Sequence, residues 1–459
     1  MLDEFRDINA VVVGLGRSGI AATRLLHFLG SKVKATDSRI LNTKSLNLPE
    51  DVVIETGGHS KEILDGAELV VISPGVPPWI EIIKEAENRG VEVISEIELA
   101  YRCTEEFEVP WIGITGTNGK STTTTLVEMM MRRQGLKIIA GGNIGTPMTE
   151  LVLEMLLTKT QRSSDFLVAE LSSFQLEKIK RFHSHISTIL NITPDHQDRY
   201  SDIREYLGAK MKIFQNQGKE DYLVLNSDQP VIKDLCRECT SEVFYFSRRG
   251  PVKGVYLEDN YIVLNRDGKP IPLINTSQMG LKGVHNIENA MVASLIAYLC
   301  GVSPENITAV LKEFRGLPHR MEFVAEIDGI SFYNDSKGTN IDAVIKSVEG
   351  FRCPVILILG GRDKGADFSI LGMFRRTIRK VICIGEAKDK IKAQLSGVLP
   401  TEDASDMDEA VQKAFTAASG GGVVLLSPGC ASFDMFQNFE ERGEAFKRAV
   451  KELESVTRK

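Results

Sequence analysis

The sequence predicts an α/β protein of three domains: a Rossmann-like N-terminal domain, a central P-loop ATPase domain with a mostly parallel sheet, and a Rossmann-like C-terminal domain. Three observations predict it. Short apolar runs alternate with helical ones along the 459 residues, which is the mark of βαβ units and parallel sheets. Two glycine-rich turns, Gly14–Gly19 and Gly113–Ser121, each follow such a run. A Gly-Pro segment after a helical stretch, Arg315–Arg320, marks a boundary. The length suits two to four separately cored domains, and these breaks divide the chain at 1–98, 99–315 and 316–459.

In the first block Asn9–Val13, Lys32–Thr36, Leu69–Ile72 and Val91–Ile94 are strand-like. Gly14, Gly16 and Gly19 form G-x-G-x-x-G directly after NAVVV, and Asp37 ends the next strand. Such glycines let a pyrophosphate approach the backbone, and an acid at that place faces a ribose hydroxyl. The motif does not choose the nucleotide, so an NAD-dependent oxidoreductase stays open on this block alone. A second turn, SPGVP at Ser73–Pro77, either lines the same crevice through Ser73 and Gly75 or is an ordinary strand-to-helix turn.

In the second block Val109–Ile114 is a buried strand, and Ser121–Gln134 is a helix with Leu126, Met129 and Met130 on one face. Between them lies GTNGKS. Amides of Gly116, Thr117, Asn118, Gly119 and Thr122 would point at an anion, the helix start adds positive charge, Lys120 reaches terminal phosphates, and Ser121 can ligate magnesium. The strict G-x-x-x-x-G-K-[ST] pattern requires glycine where Ile114 stands, so the match is a variant. A purely structural turn has no need of Gly-Lys-Ser at its end, and the loop predicts a bound nucleoside triphosphate. Strands continue at Asp165–Glu170, Ile186–Ile192 and Tyr222–Asn226. A hairpin insertion is expected between about Val243 and Ile274, with turns such as Arg-Asp-Gly. Helices at His285–Cys300 and Pro304–Phe314 close the block, and the third block has strands at Ile330–Asn334, Val355–Leu359, Lys380–Ile384 and Val423–Leu426.

A formal charge of −7 without long runs of one sign leaves no footprint for nucleic acid or an anionic membrane. No apolar stretch approaches the ~20 residues that span a bilayer, and the acidic start MLDEFRD lacks the layout of a secretion signal. A cytoplasmic monomer without membrane insertion is expected. Seven scattered cysteines fit reduced thiols. Cys236 and Cys239 form C-x-x-C with no second pair, a helical spacing rather than a zinc site.

Taken together, the phosphate loop, ELSSFQLE at Glu170–Glu177, HNIENA at His285–Ala290, NDSKGTN at Asn334–Asn340 and SPGCASFDMFQNFEERG at Ser427–Gly443 resemble the Mur ligases. These ATP-dependent enzymes assemble the peptide of the peptidoglycan precursor. GLGRSGIAA and the C-terminal motif are most similar to the branch that adds D-glutamate, and the likeness covers all three blocks. It implies that ATP phosphorylates the L-alanyl carboxylate of UDP-N-acetylmuramoyl-L-alanine and that the D-glutamate amine attacks the acyl phosphate, giving an amide, ADP and phosphate. Two carboxylates and ATP crowd negative charge, which magnesium and lysine must offset. One site for UDP and one for ATP would account for two glycine loops.

The resemblance also implies residue roles. Glu170, His196 and Lys210 join Ser121 around magnesium, with Lys120 on ATP. Lys210 would carry a carbamate formed with carbon dioxide, because a lysine ammonium with pKa near ~10.4 repels a cation, and carbon dioxide adds only to the neutral amine. Asn286 and Asn289 lie on the adenine side; Arg320 is directed to phosphate and Asp335 to ribose. The uridine end falls to Leu15, Arg17, Ser18, Asp37 and Arg39, and Asn143 in GGNIG lies near the sugar nucleotide's phosphates. For D-glutamate the matching residues are Lys337, Thr339, Lys364, Ser432 and Phe439, two lysines for two carboxylates.

Overall fold

The computed structural model describes residues 2–457 apart from 144, 161–163, 194–198, 282 and 364. The chain forms two compact units, Met1–Phe314 and Arg315–Lys459.

The first unit holds two sheets. One comprises β1 (Asn9–Val13), β2 (Lys32–Asp37), β3 (Val53–Thr56), β4 (Leu69–Ile72) and β5 (Glu92–Ser95), in the order β3-β2-β1-β4-β5. All its pairings are parallel. The strand order reverses between β1 and β4, so their C-terminal ends open the crevice where doubly wound sheets bind ligands. The sequence pattern missed β3. It is an edge strand whose Val53 is 60% exposed, and half-polar edges carry little apolar signal.

The other sheet has nine strands: β6 (Trp111–Thr115), β7 (Ile138–Gly142), β8 (Phe166–Glu170), β9 (Ile186–Ile189), β10 (Tyr222–Asn226), β11 (Glu242–Ser247), β12 (Gly254–Glu258), β13 (Tyr261–Asn265) and β14 (Ile271–Asn275). Their order is β14-β13-β12-β11-β10-β9-β6-β8-β7. The expected hairpin insertion is instead the edge of this sheet. β11 and β12 continue it in parallel, and only the β12–β13 and β13–β14 pairings are antiparallel. Asp259 and Asn260, both with positive φ (46° and 64°), make the β12–β13 turn, as a two-residue hairpin requires. β14 closes the sheet with Pro272 exposed, opposite an irregular register at Ile262/Val263.

The helix after the phosphate loop, Lys120–Arg133, buries Thr122, Thr123, Leu126, Val127, Met130 and Met131. Met129, expected on that face, is only partly buried. The helix packs against the sheet and against the helix Val284–Leu299, so it hides two faces where a single apolar stripe was read.

A buried polar seam joins the two sheets of this unit. The helix Glu96–Arg102 is buried along its whole length. Glu98 accepts the backbone N–H groups of Lys180, Arg181 and Phe182, each at 2.9 Å, and Arg102 Nε at 2.8 Å. Buried charge survives only when so paired.

The second unit is built on β15 (Glu322–Ile327), β16 (Ile330–Asn334), β17 (Val355–Gly360), β18 (Ile378–Ile384), β19 (Thr401–Asp403) and β20 (Gly422–Leu426). The order is β15-β16-β20-β17-β18-β19, with β15 alone antiparallel. Apolar clusters cover both faces, one around Phe332, Ile358 and Phe446, the other around Leu357, Phe368 and Leu371. The six described cysteines are free thiols, and no helix among the described residues is long and apolar enough to cross a membrane.

Candidate functional site

The phosphate loop runs from the C-terminal end of β6 into the helix Lys120–Arg133. Gly116 and Gly119 have φ of 154° and 86°, which only glycine adopts without strain. A Cβ on Gly119 would lie 2.2 Å from Asn289 Oδ1, so the helix Val284–Leu299 is seated against the turn. Asn191, which follows β9, clamps the loop: its carbonyl accepts Thr117 N–H at 3.0 Å, its Oδ1 accepts Asn118 N–H at 2.8 Å, and its Nδ2 donates to Asn118 O at 3.0 Å. The sequence pattern ran this strand on to Ile192 and so missed the clamp. Lys120 Nζ donates to Gly116 O and Thr117 O, both at 2.9 Å. Ser121 and Thr122 are buried at the helix start. Asn289 accepts from Thr123 Oγ1 at 3.5 Å and donates to Asn286 Oδ1 at 3.4 Å, so it supports the turn and orients Asn286.

Glu170 ends β8, with its Cα paired in register to Ile114 of β6. It is 2% exposed, and Asn143 Nδ2 donates to its Oε1 at 3.0 Å. Asn143 and Glu170, assigned separately from sequence, thus meet. Lys210, 1% exposed, reaches under the same loop: its Nζ lies 3.3 Å from Thr115 Oγ1 and 3.0 Å from Gly116 O, and 4.6 Å from the Tyr206 ring centroid. His196 lies outside the described residues. A glycine cradle at a helix N-terminus fits a polyphosphate, and hydroxyl and carboxylate oxygens are the donors magnesium prefers.

In the first sheet, Gly14 (φ 91°) turns the chain after β1, and Ser73 Oγ, in the turn after β4, donates to Gly14 O at 2.7 Å. A Cβ on Gly19 would lie 1.8 Å from Gly14 O, so glycine is what brings the helix Arg17–Phe28 onto the turn. Gly16 precedes that helix, with Arg17 exposed and Ser18 half-buried at its start; Gly75 has open space around its Cα. The two glycine turns of the sheet therefore line one crevice. Asp37, expected at a ribose, has both oxygens in use: Oδ2 accepts Leu15 N–H at 2.7 Å and Arg39 Nη2 at 2.8 Å, and Oδ1 accepts Arg39 N–H and Nε, each at 2.9 Å. The Arg39 hydrogen bonds hold its carboxyl down at about 2. Arg17 Nη2 donates to Gly145 O at 2.8 Å, which ties this crevice to the loop of Asn143.

In the second unit, Arg320 stands between His319 and Met321, whose φ of 61° and 46° are left-handed without being glycine. Backbone so held is strained by about 1–3 kcal/mol per residue and persists only when its surroundings fix it. Here His319 O accepts Lys337 N–H at 3.0 Å, and Asn334 Nδ2 bonds His319 Nδ1 at 3.0 Å. Asp335 is buried, its Oδ2 accepting Ser347 and Ser427 hydroxyls at 2.7 and 2.8 Å; burial raises its pKa. Lys337 Nζ lies 5.8 Å from the Phe439 ring centroid, and Thr339 lies in the same loop, its N–H bonded to Lys337 O at 2.9 Å. Ser432 is buried, its carbonyl accepting Phe436 N–H at 2.8 Å. Lys364 lies outside the described residues. Sequence reasoning missed Arg442, which is 1% exposed. It donates to Ser336 Oγ, Ser336 O and Cys430 O at 3.0, 2.8 and 3.1 Å, bracing the loops of Lys337 and Ser432 together. Burial pulls its pKa down to about 10.

Comparison with known proteins gives one consistent answer. Residues 8–95 match the Mur ligase MurD-like N-terminal domain, 114–297 the Mur ligase middle domain and 319–430 the Mur ligase glutamate ligase domain. The UDP-N-acetylmuramoylalanine--D-glutamate ligase of Thermoanaerobacter pseudethanolicus is 44% identical over 98% of this chain and 99% of its own. The protein of that name from Syntrophus aciditrophicus is 41% identical over 97% and 99%. Among solved structures, the fold is shared with a pseudomurein peptide ligase type C from Methanothermus fervidus (TM-score 0.57, 17% identity, 97% and 100% covered). It is also shared with the UDP-N-acetylmuramate-alanine ligase of Thermotoga maritima (TM-score 0.57, 17% identity, 98% and 100% covered).

Proposed function

The chain belongs to the Mur ligase family, and on that premise we propose that it joins D-glutamate to UDP-N-acetylmuramoyl-L-alanine at the expense of ATP, in the cytoplasm and as a monomer. The observation that carries this is the likeness to D-glutamate ligases at 44% identity over nearly the full length of both chains. An oxidoreductase built on the first glycine turn leaves the phosphate loop, Glu170 and Lys210 without use.

When bound, ATP and magnesium supply the phosphoryl group and the charge that offsets it. The residues of this chain do the rest. Lys120 and the amides of residues 116–122 would hold the triphosphate, and Ser121, Glu170, His196 and Lys210 are the residues assigned to the metal. Asn286, oriented by Asn289, meets the adenine edge. Asp37 holds the Gly14–Ser18 turn and Arg39 in shape for the uridine end, and Ser73, Gly75 and Asn143 line the phosphate side. The division at 1–98, 99–315 and 316–459 assigns the sugar nucleotide, ATP and the amino acid to successive domains. In the last, Lys337 and Lys364 pair with the D-glutamate carboxylates beside Thr339, Ser432 and Phe439; Arg320 serves phosphate and Asp335 ribose. Lys210 is carbamylated in the working enzyme; its burial supports this, because burial favours the neutral amine that carbon dioxide requires.

The test is phosphate release from ATP with UDP-N-acetylmuramoyl-L-alanine and a panel of amino acids. Release is expected only when both co-substrates are present, with D-glutamate preferred over L-glutamate, meso-diaminopimelate and D-alanine. Release with no amine, or equal rates across the panel, overturns the assignment. In the same assay carbon dioxide-depleted enzyme is expected to lose activity and regain it with bicarbonate; indifference to bicarbonate removes the carbamate.

A further inference from the structure

Arg199 occupies a position that none of the roles above uses. Its side chain is 6% exposed, and its donors reach two different segments. Nη1 donates to Pro74 O at 3.0 Å and Nη2 to Val76 O at 3.1 Å, both in the turn after β4. Nε donates to Glu177 Oε1 at 3.0 Å, and Nη2 pairs with Glu177 Oε2. Tyr200 OH donates to the same Glu177 Oε1 at 2.7 Å. The guanidinium carbon lies over the Phe174 ring, 4.0 Å from its centroid, with Trp79 at 5.6 Å on the other segment. Phe174 and Glu177 belong to the stretch that leaves β8 directly after Glu170, capped by Ser172 and Gln175.

Only a planar fork with several donors can hold two backbone carbonyls and a carboxylate at once while stacking on a ring. A lysine would keep the charge but satisfy fewer of these acceptors. The carbonyls of Pro74 and Val76 would otherwise be left partly buried without that donor, and orphaned groups of this kind are costly. The arginine therefore fixes the Ser73–Trp79 turn relative to the strand end that carries Glu170.

We propose that Arg199 is a positioning residue for the ligase reaction, holding the sugar-nucleotide turn in register with the metal-facing end of β8 so that the acceptor carboxylate meets the phosphoryl group. This rests on the sugar-nucleotide reading of the first crevice. A displacement of about 1 Å at a reacting centre costs up to ~100-fold in rate. Arg199→Ala is accordingly expected to raise KM for UDP-N-acetylmuramoyl-L-alanine roughly 10-fold and to lower kcat by a similar factor. KM for ATP and for D-glutamate should stay within about twofold, and guanidinium ion at millimolar concentration should restore part of the rate.

Arg199→Lys should fall between, and Trp79→Ala, at a half-exposed ring, should shift the same KM in the same direction by less. Loss confined to thermal stability, with the three KM values moving together or not at all in Arg199→Lys and Trp79→Ala, overturns the proposal. Direct calorimetric binding of the UDP-sugar to each variant separates the two readings. If the parent binds it but makes no amide with D-glutamate, the assigned reaction is wrong while the role of Arg199 is still decided by the affinity ratio. An unchanged affinity and unchanged kcat in Arg199→Ala sink it outright.

Discussion

Gly119 shows how single residues set the triphosphate cradle. Its φ of 86° and the 2.2 Å that would separate a new Cβ from Asn289 Oδ1 act together. Gly119→Ala should cost about 1–3 kcal/mol at the turn, read as a rise in KM for ATP of about tenfold or more. Binding of the UDP-sugar, measured by calorimetry, should be unaffected because the glycine turn proposed for it lies on another sheet. Equal loss of both ligands would show that the two loops are one site. At this scale the sequence was legible wherever chemistry demands a residue type at a fixed spacing. Lys120 and Ser121 were singled out that way, and Glu170 by its place at a strand end together with the family resemblance; Ile114 lies buried in β6, ahead of the turn that starts at Gly116. Asn191, Arg199 and Arg442 were not legible. Each acts by hydrogen-bonding backbone carbonyls or amides of segments far along the chain, and no local pattern announces such partners.

Among the elements, the helix Glu96–Arg102 joins the two sheets of the first unit and carries an acid whose ionisation should be measurable. Glu96 is fully buried, accepting from Gln175 Nε2 at 2.8 Å and Thr149 Oγ1 at 3.3 Å. Burial pushes its pKa up from 4.5 to about 7. A folded-state value above the unfolded one means that its stabilising contribution is whole below about 4.5 and lost as pH rises through about 7. The difference is on the order of 3 kcal/mol at most. Glu96→Gln keeps an acceptor for Gln175 and removes the ionisation. Its denaturation midpoint should therefore exceed that of the parent at pH ~8 and converge with it near pH ~5. Parallel pH profiles would rule this out. Element types were legible for strands buried on both faces, such as β1, β10 and β17, because continuous apolar runs bounded by turns have few alternatives. The antiparallel β15, with a register irregularity and Ile327 alone buried, and the three-residue β19 gave no such run.

For the whole molecule, three sheets resolve into two compact units, because the seam around Glu98 binds the first two sheets while the third keeps its own core on both faces. Residues 315–459 expressed alone should therefore unfold in one cooperative transition and release no phosphate from ATP. A non-cooperative melt would show that the second unit depends on the first. The edge at β14 has a consequence for how the protein survives its own synthesis. The outer edge of a sheet offers amides and carbonyls that can template another chain. Pro272 has no amide to offer, and the irregular register beside it at Ile262/Val263 bends the ribbon away from the flat geometry that stacking demands. The antiparallel strands that looked like an insertion thus act as a selvedge, finishing the fabric so that a crowded population of nascent chains does not knit together.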